Sequence, residues 1–391
     1  MKTQVRSILA LAVAAAIAPA AHAEIAIDVI NGSEISLEGL MQADGNWYHN
    51  DRADLNAASP PGRDGADTEF DMRRSEVILK GKGGRFDWTL GFDGKANKWL
   101  DANIKWKLGT NYVMAGQYKQ PNSLEELTST RHNDFISKAM VTNLFGVARR
   151  TGVAYGDDKT NWGYNISYFG RELTRNLAQG PGFGGRVYWA PVLQPGNVFH
   201  LGLSAVDFDA DQVGAPDSSR LRVRPDADLA TTRLIDTGNI ANADRQRTFG
   251  VEAAWIGGPF KVQSEYMRSR VSRTTSAPDF TGDSWYVYGV WNLTGETWGY
   301  KAGLPTTNLP DEPSSGMWQL GVRYDATDLN DGVIKGGEEK NVTLGVNWYY
   351  RSNFKFMLNY VKINSDKYLA SAGREVSDDP SIVEARAQFY W

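Results

Sequence analysis

Three arginines at every second position are the residues of this chain best suited to binding an anion. In an extended segment Arg220, Arg222 and Arg224 project from one face about 7 Å apart, whereas Leu221 and Val223 point the other way. Each guanidinium group can hold an oxyanion such as phosphate through two hydrogen bonds. A row of similar sites, none deep enough to trap its ligand, suits conduction. The alternative is an outer loop that binds the phosphates of lipopolysaccharide.

Two more candidate sites consist of charged residues that fall within strand-like segments. Arg73 and Arg74 are adjacent, so strict alternation along a strand would turn one of them away from the other. A β-bulge, or a loop that covers the wall, would let both face the same interior. Asp101 shares a face with Lys105 and Lys107 in a second segment, on its polar side.

The elements that must position these residues are β-strands with one apolar and one polar face. In the last nine residues, Val383, Ala385, Ala387, Phe389 and Trp391 alternate with polar or amphipathic neighbours. A membrane-spanning β-strand needs about 9–11 residues and an aromatic residue at the interface. About sixteen segments of the chain alternate in this way. The sequence therefore predicts an all-β fold, a transmembrane antiparallel β-barrel of about sixteen strands.

The composition favours the same architecture. Aromatic residues make up 12% of the chain, with 13 Trp and 17 Tyr, as the aromatic girdles of a membrane barrel require. Cysteine is absent, which excludes disulfides and thiolate chemistry. The formal net charge of −4 argues against a surface that attracts anions everywhere, and no nucleic-acid partner is expected.

The first 23 residues predict an export signal. A basic start, Met1 to Arg6, precedes an apolar run of small residues from Ser7 to Ala20, and Ala21-His22-Ala23 has the pattern of a cleavage site. The apolar run is shorter than the roughly 20 residues that a membrane helix requires. We therefore expect a signal peptide at 1–23 and a barrel domain at 24–391, in the outer membrane of a Gram-negative bacterium.

Long polar segments alternate with short turns, as in bacterial outer-membrane barrels. The third long loop, 119–146, is the best candidate to fold inward as a constriction, because Leu124 and Leu127 could pack on the wall; the alternative is a loop exposed outside. The segments 325–340 and 363–381 are also predicted as long loops. The segment 292–316 is long where a short turn is expected, so either the strand count slips there or that turn is elaborated.

Several short motifs resemble those of the phosphate-selective porin O and P family, which consists of trimeric sixteen-stranded outer-membrane channels. They occur in order over nearly the whole chain. The motifs are Arg73-Arg74 after Phe70-Asp71, Leu100-Asp101-Ala102, Ser123 to Arg131, Arg222-Val223-Arg224-Pro225-Asp226, Gly316-Met317-Trp318 and Asn347-Trp348-Tyr349.

The resemblance implies a role for each candidate residue. Arg220, Arg222 and Arg224 match an arginine ladder that draws anions toward a constriction. At the constriction itself, Arg73 and Arg74 match an arginine pair, Thr130 and Arg131 match a hydroxyl and a base that contact phosphate, and Asp101 matches a carboxylate that accepts a hydrogen bond from protonated phosphate. Lys138 keeps a positive charge where the family usually has arginine, but lacks the bidentate fork.

The resemblance also implies partners. They are inorganic phosphate or polyphosphate and other small anions, lipopolysaccharide and outer-membrane lipid, and two further copies of the chain in a homotrimer. The barrel-assembly machinery would recognise the C-terminal Phe389-Tyr390-Trp391. No cofactor is expected, because passage through such a channel is passive.

Two other functions stay open. A general diffusion porin, or a porin for other anions, fits the acidic balance and the lack of Lys or Arg in residues 24–50. An outer-membrane hydrolase would need a catalytic constellation, but the four His residues are scattered and the chain has no HExxH, GxSxG or P-loop motif. We therefore predict a channel rather than an enzyme.

Overall fold

The computed structural model describes residues 25–30, 33–57, 67–174, 180–210, 217–308, 314–351, 353–369 and 371–391. The predicted signal peptide, 1–23, lies outside these residues. The described chain forms a closed antiparallel β-barrel of sixteen strands. The strands are β1 (Ser33–His49), β2 (Thr68–Gly83), β3 (Phe86–Asp93), β4 (Lys98–Leu108), β5 (Asn111–Lys119), β6 (Arg149–Asp158), β7 (Trp162–Phe169), β8 (Gly182–Gln194), β9 (Asn197–Asp209), β10 (Ala243–Gly257), β11 (Phe260–Arg273), β12 (Phe280–Asn292), β13 (Met317–Asp331), β14 (Ile334–Tyr350), β15 (Phe354–Leu369) and β16 (Ser381–Tyr390).

The strands form because their side chains alternate between lipid and the barrel interior. In β15, Phe356, Leu358 and Tyr360 are exposed on the outer face, whereas Met357 and Asn359 are buried. Aromatic rings of neighbouring strands meet on the outer face, as in Trp318 with Trp348 at 5.4 Å and Trp348 with Phe356 at 5.6 Å. The alternation predicted from the sequence is confirmed, and it places the polar faces inside.

The barrel closes where the last strand pairs with the first. Strand β16 is antiparallel to β1, from Leu40 opposite Tyr390 to His49 opposite Ser381. Two short strands extend the sheet beyond the sixteen of the wall: Ile25–Ile30 pairs with β1, and Arg374–Asp378 pairs with β15. Among the described residues, no helix is long and apolar enough to cross a membrane.

The two ends of the barrel differ, and two predicted loops are wrong. Most connections of two or three residues, such as 84–85 and 258–259, lie at one end, the short-turn end, and most long connections lie at the other, the long-loop end. The predicted loop 325–340 is instead the paired ends of β13 and β14, and β15 runs well into the predicted loop 363–381. The polar residues of these segments lie beyond the membrane, and their polarity predicted loops. Their backbone N–H and C=O groups are nevertheless hydrogen-bonded between paired strands.

The long segment 292–316 is an elaborated turn, one of the two alternatives the sequence left open. It contains a hairpin of Trp298–Lys301 and Leu304–Thr307. The hairpin folds into the barrel from the short-turn end: Gly303 O accepts a hydrogen bond from Arg186 of β8 at 2.9 Å, and Tyr300 Oη lies 2.7 Å from His200 Nδ1 of β9. This part of the lumen is therefore filled by the turn.

Two further segments fold inward from the long-loop end. The third loop, 120–148, contains helix α1 (Leu124–Leu127), a 3-10 turn (Thr130–His132) and helix α2 (Met140–Phe145), and its inward fold confirms the prediction. The fifth loop, 210–242, was not predicted to fold inward. Its described part contains the short strand pairs Ser218–Ser219 with Ile240–Ala241 and Arg222–Val223 with Ile235–Asp236. Apolar side chains of both loops share one buried cluster with the wall.

Candidate functional site

Carboxylates of the wall and of the loop itself fix the third loop. Glu265 of β11 accepts hydrogen bonds from the backbone N–H groups of Leu124 and Glu125, both at 2.8 Å, where α1 begins. A carboxyl oxygen at the start of a helix satisfies its free N–H groups. The Glu125 carboxylate in turn accepts from Thr142 Oγ1 at 2.7 Å, which ties α1 to α2. The acidic residues of this loop are therefore structural anchors.

An aromatic ring locks the same loop against the wall. Phe135 is buried with its ring edge-on to Tyr288, at 5.5 Å between centroids, and Arg323 lies over it at 4.9 Å. Gly321 and Gly345 leave the room for this ring: a Cβ at either position would lie 3.0–3.3 Å from Phe135 atoms. The third loop therefore occupies a shaped slot and narrows the lumen.

Between the third loop, the fifth loop and the wall lies a cavity of about 160 Å³, here called the constriction cavity. Its charged lining is dominated by positive side chains, which come from five strands and the third loop. They are Arg73, Arg74, Lys98, Lys119, Lys138, Arg149 and Arg386, with Thr130 as a hydroxyl and Glu126 and Asp228 as carboxylates. Four residues selected from the sequence, Arg73, Arg74, Thr130 and Lys138, thus meet in one place.

A β-bulge brings the adjacent arginines together. Opposite β1, Arg74 pairs with Gln42 and Met72 pairs with Ala43, so that Arg73 is the extra residue. Arg73 Nε donates to Asp228 at 2.9 Å and Arg74 Nη1 donates to Glu76 at 2.9 Å. The other N–H groups of both guanidinium groups make no hydrogen bond to the described residues, and they remain donors for a guest in the cavity.

The fifth loop supplies a carboxylate, Asp228, that lies between two arginines of the cavity wall. Asp228 contacts Arg73 and also lies 3.7 Å from Arg386 of β16, whose guanidinium is held by Asp44 of β1 at 2.6 and 2.7 Å. Burial alone would raise the pKa of Asp228, but the two arginines hold it well below its ordinary value. The carboxylate is therefore a permanent internal anion beside the arginines.

The third loop contributes a second internal ion pair. Lys138 contacts the Glu126 carboxylate, and Lys119 of β5 donates to the carbonyl of Thr128 at 3.0 Å. Burial alone would raise the pKa of Glu126, but Lys138 and Lys119 lower it to about 2. The Glu126 carboxylate therefore stays ionised at neutral pH.

Two residues predicted for the constriction do not line the cavity. Arg131 Nη2 lies 2.8 Å from Glu38 of β1, on the wall side of the third loop. Asp101 accepts two hydrogen bonds from Arg149, from Nη2 at 2.8 Å and Nε at 3.1 Å, and so touches the cavity only through that arginine. Each of these two side chains pairs with a nearby opposite charge and therefore does not face the constriction cavity.

One of the three predicted ladder arginines of the fifth loop, Arg220, lies beside a second cavity. Arg220, Arg222 and Arg224 are exposed, whereas Leu221 and Val223 are buried, as an extended segment requires. Arg220 Nε donates to Asp236 at 2.8 Å. Arg220 also lines a cavity of about 380 Å³, the outer cavity, which shares Lys98 and Arg149 with the constriction cavity. The outer cavity is thus lined by four basic residues (Lys98, Arg149, Arg150 and Arg220) and by the carboxylates Glu172 and Asp209, and it joins the constriction cavity at Lys98 and Arg149.

Sequence reasoning did not select six charged residues that line the constriction cavity: Lys98, Lys119, Glu126, Arg149, Asp228 and Arg386. A signal existed for one of them, since the alternation of β16 already placed Arg386 on the polar face. No signal placed Asp228, because its position depends on the fold of a long loop. Among the described residues, no group of three or more His, Cys, Asp or Glu could hold a metal ion.

The sequence profile of the family described as "Phosphate-selective porin O and P" matches residues 41–391. The chain belongs to this family. Its barrel therefore lies in the outer membrane of a Gram-negative bacterium. The short-turn end is accordingly the periplasmic end, and the long-loop end faces the outside.

Two curated relatives are similar in sequence. One is Porin O of Pseudomonas aeruginosa, 29% identical over 222 residues, which make up 50% of this chain and 50% of that protein. The other is an uncharacterised protein of Caulobacter vibrioides, 29% identical over 296 residues, 72% of this chain and 59% of that protein. The chain thus matches between a half and three fifths of the length of these relatives.

Solved porins share the fold. The outer-membrane protein OmpT of Vibrio cholerae superposes with a TM-score of 0.59 at 12% identity, over 94% of this chain and 99% of the other. An anion-selective porin from Comamonas acidovorans superposes with a TM-score of 0.56 at 12% identity, over 92% of this chain and 100% of the other. At this identity the likeness concerns the fold alone.

Proposed function

We propose that this porin is a passive channel selective for anions, with phosphate or polyphosphate as its cargo. The observation that carries the proposal is the bulged pair Arg73 and Arg74. It sets two guanidinium groups side by side in a narrow cavity, with N–H donors that no residue of the described ranges accepts from. Oxyanions match such donors in both charge and geometry.

The path outside the constriction supports the same function. Arg220, Arg222 and Arg224 act as the ladder that raises the local anion concentration, because like-charged groups along a low-dielectric wall focus the field. An anion then passes Arg149, which lines both cavities, before it reaches Arg73 and Arg74. Thr130 supplies a hydroxyl there, and Lys119, Lys138 and Arg386 add positive charge. Arg131 and Asp101 act indirectly, by orienting the third loop and Arg149.

A porin for other anions, without strict phosphate selectivity, is the second candidate. One observation favours it: Glu126 and Asp228 stand inside the constriction cavity and repel a multiply charged anion. The likeness to an anion-selective porin from Comamonas acidovorans fits either candidate.

The test is block of the chloride current by phosphate in reconstituted single channels. We expect millimolar phosphate to block the wild type, and the double variant Arg73→Gln/Arg74→Gln to need at least tenfold more phosphate. Lys340→Gln is the matched control, because that lysine is exposed on the outer face of β14. Phosphate that leaves the wild-type current unchanged would favour the second candidate.

We further propose how the chain reaches this state. Residues 1–23 direct export and are removed, and the barrel-assembly machinery recognises the C-terminal Phe389-Tyr390-Trp391. The family resemblance and the aromatic residues of that strand support these steps. The channel then works as a homotrimer in contact with lipopolysaccharide, with no cofactor and no catalytic step.

A further inference from the structure

Three arginines stand on the lipid-facing side of two neighbouring strands, near the long-loop end. Arg247 of β10 shares the outer face with Phe249, and Arg268 and Arg270 of β11 share it with Tyr266. Arg247 lies directly opposite Arg270 in the pairing, and Arg268 lies opposite Phe249, one row closer to the membrane core. We call these three residues the lipid-facing arginine cluster.

Neither the sheet nor the bilayer favours this arrangement. Like charges directly opposite each other on a sheet destabilise the pair, and an outward charge costs most near the middle of the bilayer. Asp207 contacts Arg247 at 2.9 Å and Asp279 contacts Arg270 at 2.6 Å, yet these arginine side chains remain 55% and 62% exposed. Asp283 of β12 lies directly opposite Arg268 in the pairing, but within the described ranges no carboxylate lies within 4.0 Å of the Arg268 guanidinium. The cluster thus presents guanidinium N–H groups outward.

Below the cluster the outer face is indented. An apolar groove of about 1330 Å³ runs over β6 to β11, with Ile166, Phe183 and Phe249 along its sides and the small residues Gly185 and Ala205 among its lining. The cluster belongs to the lining of the same groove. Cationic groups therefore lie at the outward end of a space that an acyl chain could fill.

We propose that this groove is a binding site for lipopolysaccharide, the phosphorylated and multiply acylated glycolipid of the outer leaflet. Its acyl chains lie in the groove, and a headgroup phosphate bridges Arg268 and Arg270. The charged lining of the groove consists of three arginines and Asp207 and is therefore net positive, which matches an anionic lipid, and the rest of the groove is apolar. The site faces away from the channel and does not depend on which anion permeates.

The test uses the full porin, stripped of lipid in detergent and titrated with rough-type lipopolysaccharide, with bound lipid counted by native mass spectrometry. The double variant Arg268→Gln/Arg270→Gln should bind at least tenfold more weakly. Ala205→Trp, which fills the groove and keeps every charge, should also weaken binding. Lys340→Gln, which removes an outward cation of β14 that is paired with Glu338, should bind as the wild type does. Unchanged channel conductance shows that each variant is folded.

Several outcomes would overturn the site. Binding of fully dephosphorylated lipopolysaccharide at wild-type strength would exclude phosphate recognition. Displacement by millimolar inorganic phosphate alone would mean that free phosphate, and not a lipid, is the ligand. Wild-type affinity in the double variant would exclude the cluster. Loss of the oligomer in that variant would assign this face to a second copy of the chain.

Discussion

Replacement of Asp228 by asparagine is expected to tighten phosphate binding in the constriction cavity. The carboxylate lies 2.9 Å from Arg73 Nε and 3.7 Å from Arg386 Nη2, so an anion bound on these guanidinium groups is held about 4 Å from a fixed negative charge. Two unit charges at that distance interact by about 1 kcal/mol in bulk water and about 4 kcal/mol at a dielectric constant of 20. The amide keeps nearly the same shape and removes this repulsion.

Even the weaker end of that range has a measurable effect. A change of about 1–2 kcal/mol corresponds to a factor of about 5–30 in an equilibrium constant. The phosphate concentration that halves the chloride current should therefore fall at least fivefold in Asp228→Asn. The fifth loop should stay in place, because the backbone N–H of residue 228 still donates to Ser137 Oγ at 2.9 Å.

The assay is phosphate titration of single-channel chloride current in planar bilayers at fixed ionic strength. Glu338→Gln is the matched control, since that carboxylate also pairs with a cation but lies on the exposed end of β14. An unchanged half-blocking concentration in Asp228→Asn would refute the placement of the anion beside Arg73. A higher concentration would mean that the carboxylate organises the site rather than opposing the guest.

Three further predictions concern the pH response, the order of the two cavities and the packing of the third loop. The pKa of Glu126, lowered from 4.5 to about 2, predicts a constant chloride-to-potassium permeability ratio from pH 6 to pH 4 and a rise below about pH 3. The stabilisation of the loop by the ionised carboxylate is lost as the pH falls from about 4.5 through about 2. A ratio that rises already between pH 6 and pH 4 would contradict this. Arg149→Ala should reduce that ratio more than Arg220→Ala, because a narrow cavity is screened less than an exposed loop; equal losses would refute that order. Phe135→Ala should weaken packing of the loop by about 3–5 kcal/mol and raise single-channel conductance, whereas unchanged conductance would show that the loop is held without this ring.

The architecture was predictable because it depends on local alternation. One face of each membrane strand contacts lipid and the other faces the lumen. Residues such as Phe356 and Leu358 therefore identify a wall strand without any long-range information. The same alternation predicted that Arg386 lies on the polar, inward face of its strand. It failed at 325–340, where the strands extend beyond the membrane and no longer need an apolar face.

The site was only partly predictable, because it depends on contacts between distant segments. The sequence offered a bulge as one way to aim Arg73 and Arg74 together, but only the pairing with β1 shows which residue is extra. Arg131 and Asp101 were expected to face a bound anion, but Arg131 forms an ion pair with Glu38 and Asp101 forms one with Arg149. Asp228 reaches the cavity through a loop whose buried alanines, Ala227 and Ala230, pack on β15 and β16 partners far away in sequence.

Anion selectivity is the central claim, and the zero-current potential of the reconstituted channel across a tenfold KCl gradient tests it most directly. A perfectly selective channel for a single charge gives about 59 mV for such a gradient. We predict a zero-current potential that has the sign set by chloride and is larger than half of about 59 mV. This potential should fall when millimolar phosphate occupies the constriction. A potential of the sign set by potassium would contradict the account.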